Sequence, residues 1–360
     1  MPGKWKFPSI IVLPVKKSIM VQFYQQLATL ISAGFGIVRA LNVCRIQTAD
    51  KRFQEMLSKI HDRIQSGNSL AAALQLFPET FSPFHLGMVK TAERSGTLPD
   101  ILNNLAKFEE KEMRLISRLK AALAYPVFVT IVAFGIVILL TRYLCPLLNA
   151  ITQILGPEKI PLITKVLIFM GKCSTDLRYM LPLLLLFILA TITVSKISKQ
   201  RKVKYIMGRV KLLIPTLGKL YKKVILIRLC RVLSTLLNSG VPSAISIRVV
   251  DEVAENIYFS EAIMKKIIWR IDEGKQYSEA FSESTFFPTV LINMMVVGEQ
   301  TGKLPYVIDK LADMLEVDVD VFLANFSSLL EPVMIVILGG VTFFILLAAF
   351  LPMYTIMSGI

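Results

Sequence analysis

The sequence LATLISAG, at residues 27–34, decides the fold because a close copy of it, LSTLLNSG, stands at residues 233–240. A second motif, ERSGTLP at residues 93–99, returns as EQTGKLP at residues 299–305. Both pairs keep one offset of 206 residues, which is typical of an internal duplication and unexpected by chance. A chain built from two such copies is predicted to be a structural scaffold before it is predicted to be an enzyme.

Each copy runs into a long apolar stretch. Residues 121–141, 179–195 and 332–360 carry no Asp, Glu, Lys or Arg. Of all residues 54% are hydrophobic, and the mean hydropathy is +0.59. A helix needs about 20 apolar residues to cross a bilayer, and in lipid its backbone must be hydrogen-bonded within the segment. The three stretches therefore predict three transmembrane helices.

Prolines bracket the first and third apolar stretches at equivalent places. Pro126 and Pro332 stand near the start, where proline disturbs a helix little, and Pro146 and Pro352 stand near the end. We expect the second pair to terminate the two helices. Glu331, which precedes Pro332, is expected to lie at the cytoplasmic boundary of the membrane.

The net charge of +15 is concentrated in one segment. Residues 196–223 contain ten Lys or Arg and no Asp or Glu, directly after the second apolar stretch. Such a cluster marks the cytoplasmic side of a membrane protein, and it can also contact anionic lipid headgroups. No nucleic-acid-reading motif accompanies it, so direct nucleic-acid binding is not expected. Counting membrane crossings from this segment places the N-terminus in the cytoplasm and the C-terminus outside.

Outside the apolar stretches the sequence has a helical period and no strand signal. In the first copy, apolar residues spaced by three and four are interrupted by helix stops at Gly34 and Gly67, Pro83 starts a fifth helix, and Thr97 caps a sixth. The second copy repeats this plan. The predicted fold class is all-α: a polytopic membrane protein with two homologous cytoplasmic six-helix bundles and three transmembrane helices. Residues 160–171 are expected to form an amphipathic helix on the membrane surface.

These signals divide the chain into eight segments. They are a flexible N-terminal lead at 1–17, a first cytoplasmic bundle at 18–120, a first transmembrane helix at 121–145, an extracytoplasmic loop at 146–178, a second transmembrane helix at 179–195, a basic cytoplasmic linker at 196–223, a second cytoplasmic bundle at 224–330, and a third transmembrane helix at 331–357.

A search of the sequence for catalytic, cofactor or metal motifs finds none. Phosphate-binding and dinucleotide-binding glycine loops are missing, neither histidine has a ligand spacing, and no Ser or Cys stands in a nucleophile motif. The four cysteines are too dispersed for a metal site. Cys145 and Cys173 share the predicted outer side, where a disulfide and ordinary packing are both open. We therefore expect no catalytic residues, no cofactor and no metal.

Glu93 and Glu299 each stand three residues before a glycine that is expected to end a helix. One interpretation is that this acidic pair binds a partner or a cation. The other, which we favour, is that each carboxylate accepts backbone N–H bonds from the turn that follows it, or pairs with a nearby Arg or Lys of its own bundle. A charge-assisted bond of this kind contributes roughly 1.5–3 kcal/mol. The candidate residues of the repeat motif, structural or partner-binding, are Glu93, Gly96, Leu98, Pro99, Glu299, Gly302, Leu304 and Pro305.

The doubled Glu-x-Ser/Thr-Gly-x-Leu-Pro motif, the leucine-rich helix that ends in Ala/Ser-Gly, and the proline-bounded apolar stretches resemble one family over residues 18–357. It is the inner-membrane platform protein of type II secretion systems, type IV pili and competence pseudopili. Gly36, where the second copy keeps Pro242, and a lead of only 17 residues depart from the family pattern. The short lead favours a competence-type or divergent member.

The resemblance implies a non-enzymatic scaffold of the bacterial inner membrane that couples a cytoplasmic assembly ATPase to pilin or pseudopilin assembly. The implied partners are that ATPase, the pilin subunits, other inner-membrane assembly proteins, membrane lipids and further copies of the chain. A different class, a small permease or channel subunit, is the alternative, and it would need a polar path through the membrane. The machine served, the oligomeric state and the partner-contacting residues stay open at this point.

Overall fold

The computed structural model describes residues 15–155, 162–175, 200–254 and 256–357. In these parts of the chain every regular element is a helix, in agreement with the predicted all-α class. The second apolar stretch, predicted as a transmembrane helix at 179–195, lies outside the described residues, and so does most of the predicted lead at 1–17.

The first copy of the repeat begins with five separate helices and continues into a sixth. Their bounds are α1 Lys17–Ser32, α2 Ile37–Gln47, α3 Lys51–Gln65, α4 Leu70–Leu74, α5 Pro83–Ser95 and α6 Leu98–Leu155. A further helix, α7 Leu162–Thr175, precedes the second copy.

The second copy follows the same order after one additional basic helix. Its bounds are α8 Arg201–Leu213, α9 Leu217–Asn238, α10 Ser243–Val253, α11 (the consecutive segments Ile257–Phe259, Ser260–Met264 and Lys265–Asp272), α12 Tyr277–Ser282, α13 Thr289–Gln300 and α14 Leu304–Met357. The middle segment of α11 is π-helical.

The two copies match helix by helix at the offset read from the sequence. Helices α2 and α10, α3 and α11, α5 and α13, and α6 and α14 each begin 206 residues apart. The left-handed glycines that follow α3 and α11, Gly67 and Gly274, are instead 207 residues apart. The π-helical turn Ser260–Met264 explains this difference, because a π-turn accommodates one extra residue within a helix.

The N-terminal helices of both copies belong to one compact unit, formed by the described residues of Met1–Ser117 and Lys204–Val319. Aromatic side chains fill the centre of each copy: Phe23 meets Phe53 edge-on at 5.4 Å between ring centroids, and Phe281 lies 4.6 Å from Phe287. Helix α5 of the first copy packs on α10 of the second. This contact is close at Gly87, where a β-carbon would lie 3.9 Å from Val249.

Helices α6 and α14 do not end within this first compact unit. Each runs unbroken into its apolar stretch, and each is long and apolar enough to cross a membrane, with mean hydropathies of 2.6 and 2.8 in the most apolar window. The prediction that Pro146 and Pro352 terminate these helices is wrong, because both prolines lie inside them. Proline is tolerated within an apolar helix of this kind because a broken helix would leave further backbone groups without partners in lipid.

A second compact unit comprises the described residues of Arg118–Val203 and Asp320–Ile360. Its buried centre joins α6, α7 and α14 through Leu148, Leu167, Ile345 and Ala348. Thr164 of α7 donates a buried hydrogen bond of 2.9 Å to the carbonyl of Ala348. The amphipathic helix predicted over residues 160–171 is present from Leu162 onwards, and its Thr164 and Leu167 are buried against the apolar part of α14. Its location on the membrane surface stays a prediction.

Candidate functional site

The first glutamate of the repeat motif holds the start of a neighbouring helix. Glu93, on α5, accepts hydrogen bonds from the backbone N–H groups of Leu70 at 2.5 Å and Ala71 at 3.3 Å. These are the first two residues of α4, whose N–H groups have no partner within the helix. Ser69 caps the same end by accepting from the N–H of Ala72. Glu93 therefore joins α5 to α4.

The second glutamate makes the equivalent contacts in the second copy. Glu299, on α13, accepts from the backbone N–H of Tyr277 at 2.6 Å and from that of Ser278 at 3.3 Å. The Ser278 hydroxyl donates to the other carboxylate oxygen. The neighbouring Tyr277 hydroxyl donates to the Ser243 carbonyl, and burial, reinforced by the charge of Glu299, raises the pKa of Tyr277 to about 12 despite that bond.

The remaining motif residues form the turn that follows each glutamate. Gly96 and Gly302 have φ angles of +73° and +65°, a left-handed conformation that side chains disfavour. Leu98 and Leu304 are the first residues of α6 and α14, and Pro99 and Pro305 are the second, where proline needs no amide partner.

The structure does not bring the two glutamates into one site. The hydrogen bonds described above keep Glu93 within the first copy and Glu299 within the second. Within the described ranges no group of three or more His, Cys, Asp or Glu residues could hold a metal ion. The carboxylates therefore accept backbone N–H bonds within their own copies, but the prediction that the turn after each glutamate donates them is wrong. The donors are the first residues of α4 and α12, because tertiary packing places each carboxylate at the start of that short helix.

A different set of charges connects the two copies. Arg228 on α9 forms an ion pair of 2.9 Å with Glu112 on α6, and Lys111 on α6 lies 3.4 Å from Asp309 on α14. Beside these pairs lies a cleft of about 350 Å³ whose lining includes residues of α6, α9 and α14. The pairs stabilise the contact between the copies, although exposed ion pairs contribute little individually.

Arg231 on α9 forms ion pairs within the second copy, next to this contact, and only 5% of its side chain is exposed. It donates to Asp309 at 2.5 Å, to Glu316 at 2.8 Å and to Asp313. Burial lowers the pKa of Arg231, but hydrogen bonds to Asp313 and Glu316 and the charge of Asp309 outweigh it and raise that pKa. The guanidinium therefore stays charged and joins α9 firmly to α14.

The first copy carries a buried polar cluster of its own. Glu109 accepts from Nε2 of His85 at 2.8 Å and pairs with Lys17 at 2.7 Å, and the ring of Tyr24 stacks on His85. The backbone N–H of Ser82 donates to Nδ1 of His85 at 3.1 Å, which places the ring proton on Nε2. Burial raises the pKa of Glu109, but His85 and Lys17 outweigh it and lower that pKa below its usual value.

These buried charges belong neither to a catalytic or metal-binding motif nor to the repeat motif, so the sequence patterns described above did not predict them. The second copy has Leu291 and Leu315 where the first has His85 and Glu109, and the first has Gln25 where the second has Arg231. A charged residue in one copy at a position where the other copy has an apolar or neutral residue is the signal that could have indicated these buried charges.

The structure describes the side chain of one cysteine of the predicted outer pair. Cys145 is buried, and its thiol lies 3.7 Å from the carbonyl of Ile168. The side chain of Cys173 lies outside the described part of the chain. A disulfide and ordinary packing therefore both stay open for this pair.

The duplicated helices and their glutamate caps agree with a known family profile. The family described as type II secretion system (T2SS), protein F, matches residues 23–146 and again residues 229–352. The chain belongs to this family. Both ends of the two matched segments lie 206 residues apart, which confirms the duplication.

Relatives in this family come from several bacteria. The chain is 31% identical to the type IV pilus assembly protein PilC of Thermus thermophilus, over 99% of this chain and 88% of the relative. It is 29% identical to the protein of the same name from Myxococcus xanthus, over 96% of this chain and 81% of the relative. It is also 29% identical to the type II secretion system protein F of Aeromonas hydrophila, over 91% of this chain and 84% of the relative.

Proposed function

We propose that this protein is a non-enzymatic platform of the bacterial inner membrane, working in a type IV pilus, a type II secretion system or a competence pseudopilus. Membership of the type II secretion protein F family supports this role, and so do the two apolar helices. The feature that carries the proposal is the doubling of one plan, a soluble helical body whose last helix continues into an apolar segment.

The proposed arrangement places both copies in the cytoplasm, as six-helix bundles at 18–120 and 224–330, with a flexible lead at 1–17. Three helices at 121–145, 179–195 and 331–357 would span the membrane, with the loop at 146–178 and the C-terminus outside. The basic linker at 196–223 supports this orientation, because Lys and Arg are enriched on the cytoplasmic side. Several copies of the chain would form the working platform.

In the proposed mechanism the soluble unit binds the cytoplasmic assembly ATPase, and α6 and α14 carry its movement to pilin or pseudopilin subunits in the membrane. A continuous helix suits this task because its backbone hydrogen bonds make it stiff along its axis. The ion pairs of Arg228 with Glu112 and of Lys111 with Asp309 suit it too, since they tie α9 and α14 of the second copy to α6 of the first so that the two copies move as one.

The test uses the source bacterium with its own gene deleted and replaced by variants. Ser117 lies on α6 at the edge of the soluble unit, and its side chain is exposed. Ser117→Pro removes one helix hydrogen bond and kinks α6 there, whereas Ser117→Ala leaves the helix straight. We expect Ser117→Ala to restore pili or secretion and Ser117→Pro to fail, at equal membrane abundance of both variants.

Assembly by the Ser117→Pro variant at the wild-type level would contradict transmission through α6. Absence of any pilus or secretion defect on deletion would contradict the platform role as a whole. A permease or channel is the competing class, and the purified chain in liposomes distinguishes it, because rapid solute flux through the wild-type protein would favour that class.

A further inference from the structure

Helix α8, Arg201–Leu213, attaches to the second copy along one narrow side. Gly208 is buried there, and a β-carbon on it would lie 2.3 Å from the side-chain oxygen of Asn256. The ring of Tyr205 meets that of Tyr258 edge-on at 5.2 Å. Tyr205 and Gly208 are three residues apart, so they share one side of the helix, and the contact at Gly208 leaves no room for rotation about the helix axis.

The opposite side of α8 is apolar and uncovered. Ile206, Met207, Val210 and Leu213 are all exposed, and Leu213 exposes 68% of its surface. Their spacing of three and four residues places them together on one face. Ile214 and Leu217 extend the exposed apolar surface beyond the end of the helix. A contiguous apolar face of this kind marks a contact site for a membrane or another protein.

Basic side chains border this apolar face on both edges. At 100° per residue, Lys202 and Arg209 fall on one edge and Lys204 and Lys211 on the other, and all four are exposed. The surrounding segment 196–223 carries no Asp or Glu. Lys and Arg at such edges lay their apolar stems along the hydrocarbon and leave their charged ends in the headgroup region.

We propose that α8 is a membrane-surface helix, lying in the headgroup layer of an anionic bilayer with Ile206, Met207, Val210 and Leu213 inserted. An apolar face bordered by Lys and Arg, without acidic residues, is the pattern of interfacial helices. A protein partner would need an apolar groove with negative charge along both of its edges. An anionic bilayer provides an apolar interior and a negatively charged headgroup layer together. Because Gly208 fixes α8 to the second copy, the helix sets the distance of that copy from the bilayer.

The inference rests on the membrane location in the proposed function, so the experiment tests the two separately. In the full chain, Trp5 and Trp269 are replaced by Phe, and one new Trp is introduced per variant: Val210→Trp on α8, Ile46→Trp on an exposed site of α2, and Ile335→Trp in the apolar part of α14. Each variant is reconstituted in nanodiscs that contain phosphatidylcholine brominated on the acyl chains, with or without phosphatidylglycerol. The measurements are the emission maximum and bromine quenching.

We expect strong quenching and a blue-shifted emission for Val210→Trp, close to the values for Ile335→Trp, and neither effect for Ile46→Trp. Quenching of Val210→Trp should increase with phosphatidylglycerol, and combined replacement of Lys204, Arg209 and Lys211 by Gln should abolish that increase.

Three results would overturn the inference. If Ile335→Trp is quenched and Val210→Trp behaves like Ile46→Trp, α8 is in water and the membrane location of the chain stands. If Val210→Trp is blue-shifted without quenching, protein covers the face. If Ile335→Trp is not quenched, the membrane location itself fails, and the inference fails with it.

Discussion

The backbone nitrogen of Leu70 lies 2.5 Å from Oε1 of Glu93, and the equivalent pair in the second copy, Tyr277 and Glu299, lies at 2.6 Å. In both copies a carboxylate on the fifth helix therefore binds the first N–H groups of the short fourth helix. The contact spans 23 residues of sequence in the first copy and 22 in the second. Its repetition indicates a shared structural role.

The first prediction concerns this carboxylate. Glu299→Ala leaves the N–H groups of Tyr277 and Ser278 without their acceptor, and we expect a loss of about 1–3 kcal/mol in the free energy of unfolding. Glu299→Gln keeps one acceptor oxygen and should lose less. Thermal unfolding of the detergent-solubilised chain measures both. Glu279→Ala, which removes only an exposed pair with Lys275, is the control and should change stability by less than about 0.5 kcal/mol.

The second prediction concerns the turn after the glutamate. Gly302→Ala meets no atom within 4 Å, so its whole effect comes from forcing a β-carbon into the left-handed φ of +65°. We expect a destabilisation of about 1–2 kcal/mol, measured as a lower melting temperature. Gly36→Ala is the control, because Gly36 has an extended φ of −62° and equally open space. Equal melting temperatures for the two variants would contradict this account of the turn.

The repeat made much of the helical plan predictable from sequence. The glycines and prolines that the copies share made the turns predictable. A glycine after a helix indicates a left-handed residue that ends it, and a proline in the first turn indicates a helix start, in either copy. The continuity of α6 and α14 was missed at Pro146 and Pro352, since a rule derived from helices in water does not hold where the backbone has no water to bind.

Features in which the two copies differ could not be predicted from the repeat motifs. The only sequence sign of the π-helical turn Ser260–Met264 is that Gly67 and Gly274 are one residue further apart than the offset of the repeat. The local sequence does not show whether this extra residue lies in a helix or in a loop. The contact between His85 and Glu109 joins residues 24 positions apart, and only tertiary packing brings them together.

The third prediction concerns replacing a polar pair of the first copy by the equivalent residues of the second. The second copy has Leu291 and Leu315 where the first has His85 and Glu109. The double variant His85→Leu/Glu109→Leu should therefore be within about 1 kcal/mol of wild type, or more stable, because a leucine pair of similar size often replaces a buried hydrogen-bonded pair without loss. Glu109→Leu alone removes the acceptor of His85 and should be clearly less stable than the double variant. Chemical denaturation measures the series.

The fourth prediction concerns acid. The folded-state pKa of Glu109 is lowered, so its ionised form contributes stability above its unfolded pKa of about 4.5, and that contribution is lost as the pH falls below this value. Glu109→Gln does not titrate. We expect it to be less stable than wild type at pH 7, with the difference shrinking steadily between about pH 5 and pH 3. Melting temperatures across this range test the sign, and a constant difference would contradict it.

The fifth prediction concerns the cation that joins α9 to α14. Arg231→Ala leaves Asp309, Asp313 and Glu316 close together without their guanidinium. Two of these carboxylates are more than one third exposed, so water screens their repulsion, and we expect a loss of about 1–3 kcal/mol, less than a fully buried pair would give. Arg231→Lys should recover only part of this, because an ammonium cannot bond three carboxylates in the fork geometry of arginine.

The same variants separate local stability from the coupling of the copies. Arg231→Gln places in the second copy the residue that the first copy has at position 25. Asp309 and Asp313, which Arg231 binds, also pair with Lys111 of the first copy. If Arg231 supports the contact between the copies by holding these two carboxylates in place, Arg231→Gln should reduce pilus assembly or secretion more than Glu299→Gln does, when the two variants are compared at a temperature where both remain folded. Lys223→Gln removes only the pair with Asp318, whose side chain is 58% exposed, and should leave assembly at the wild-type level. Equal assembly by all three variants would show that the contact around Arg231 serves stability alone.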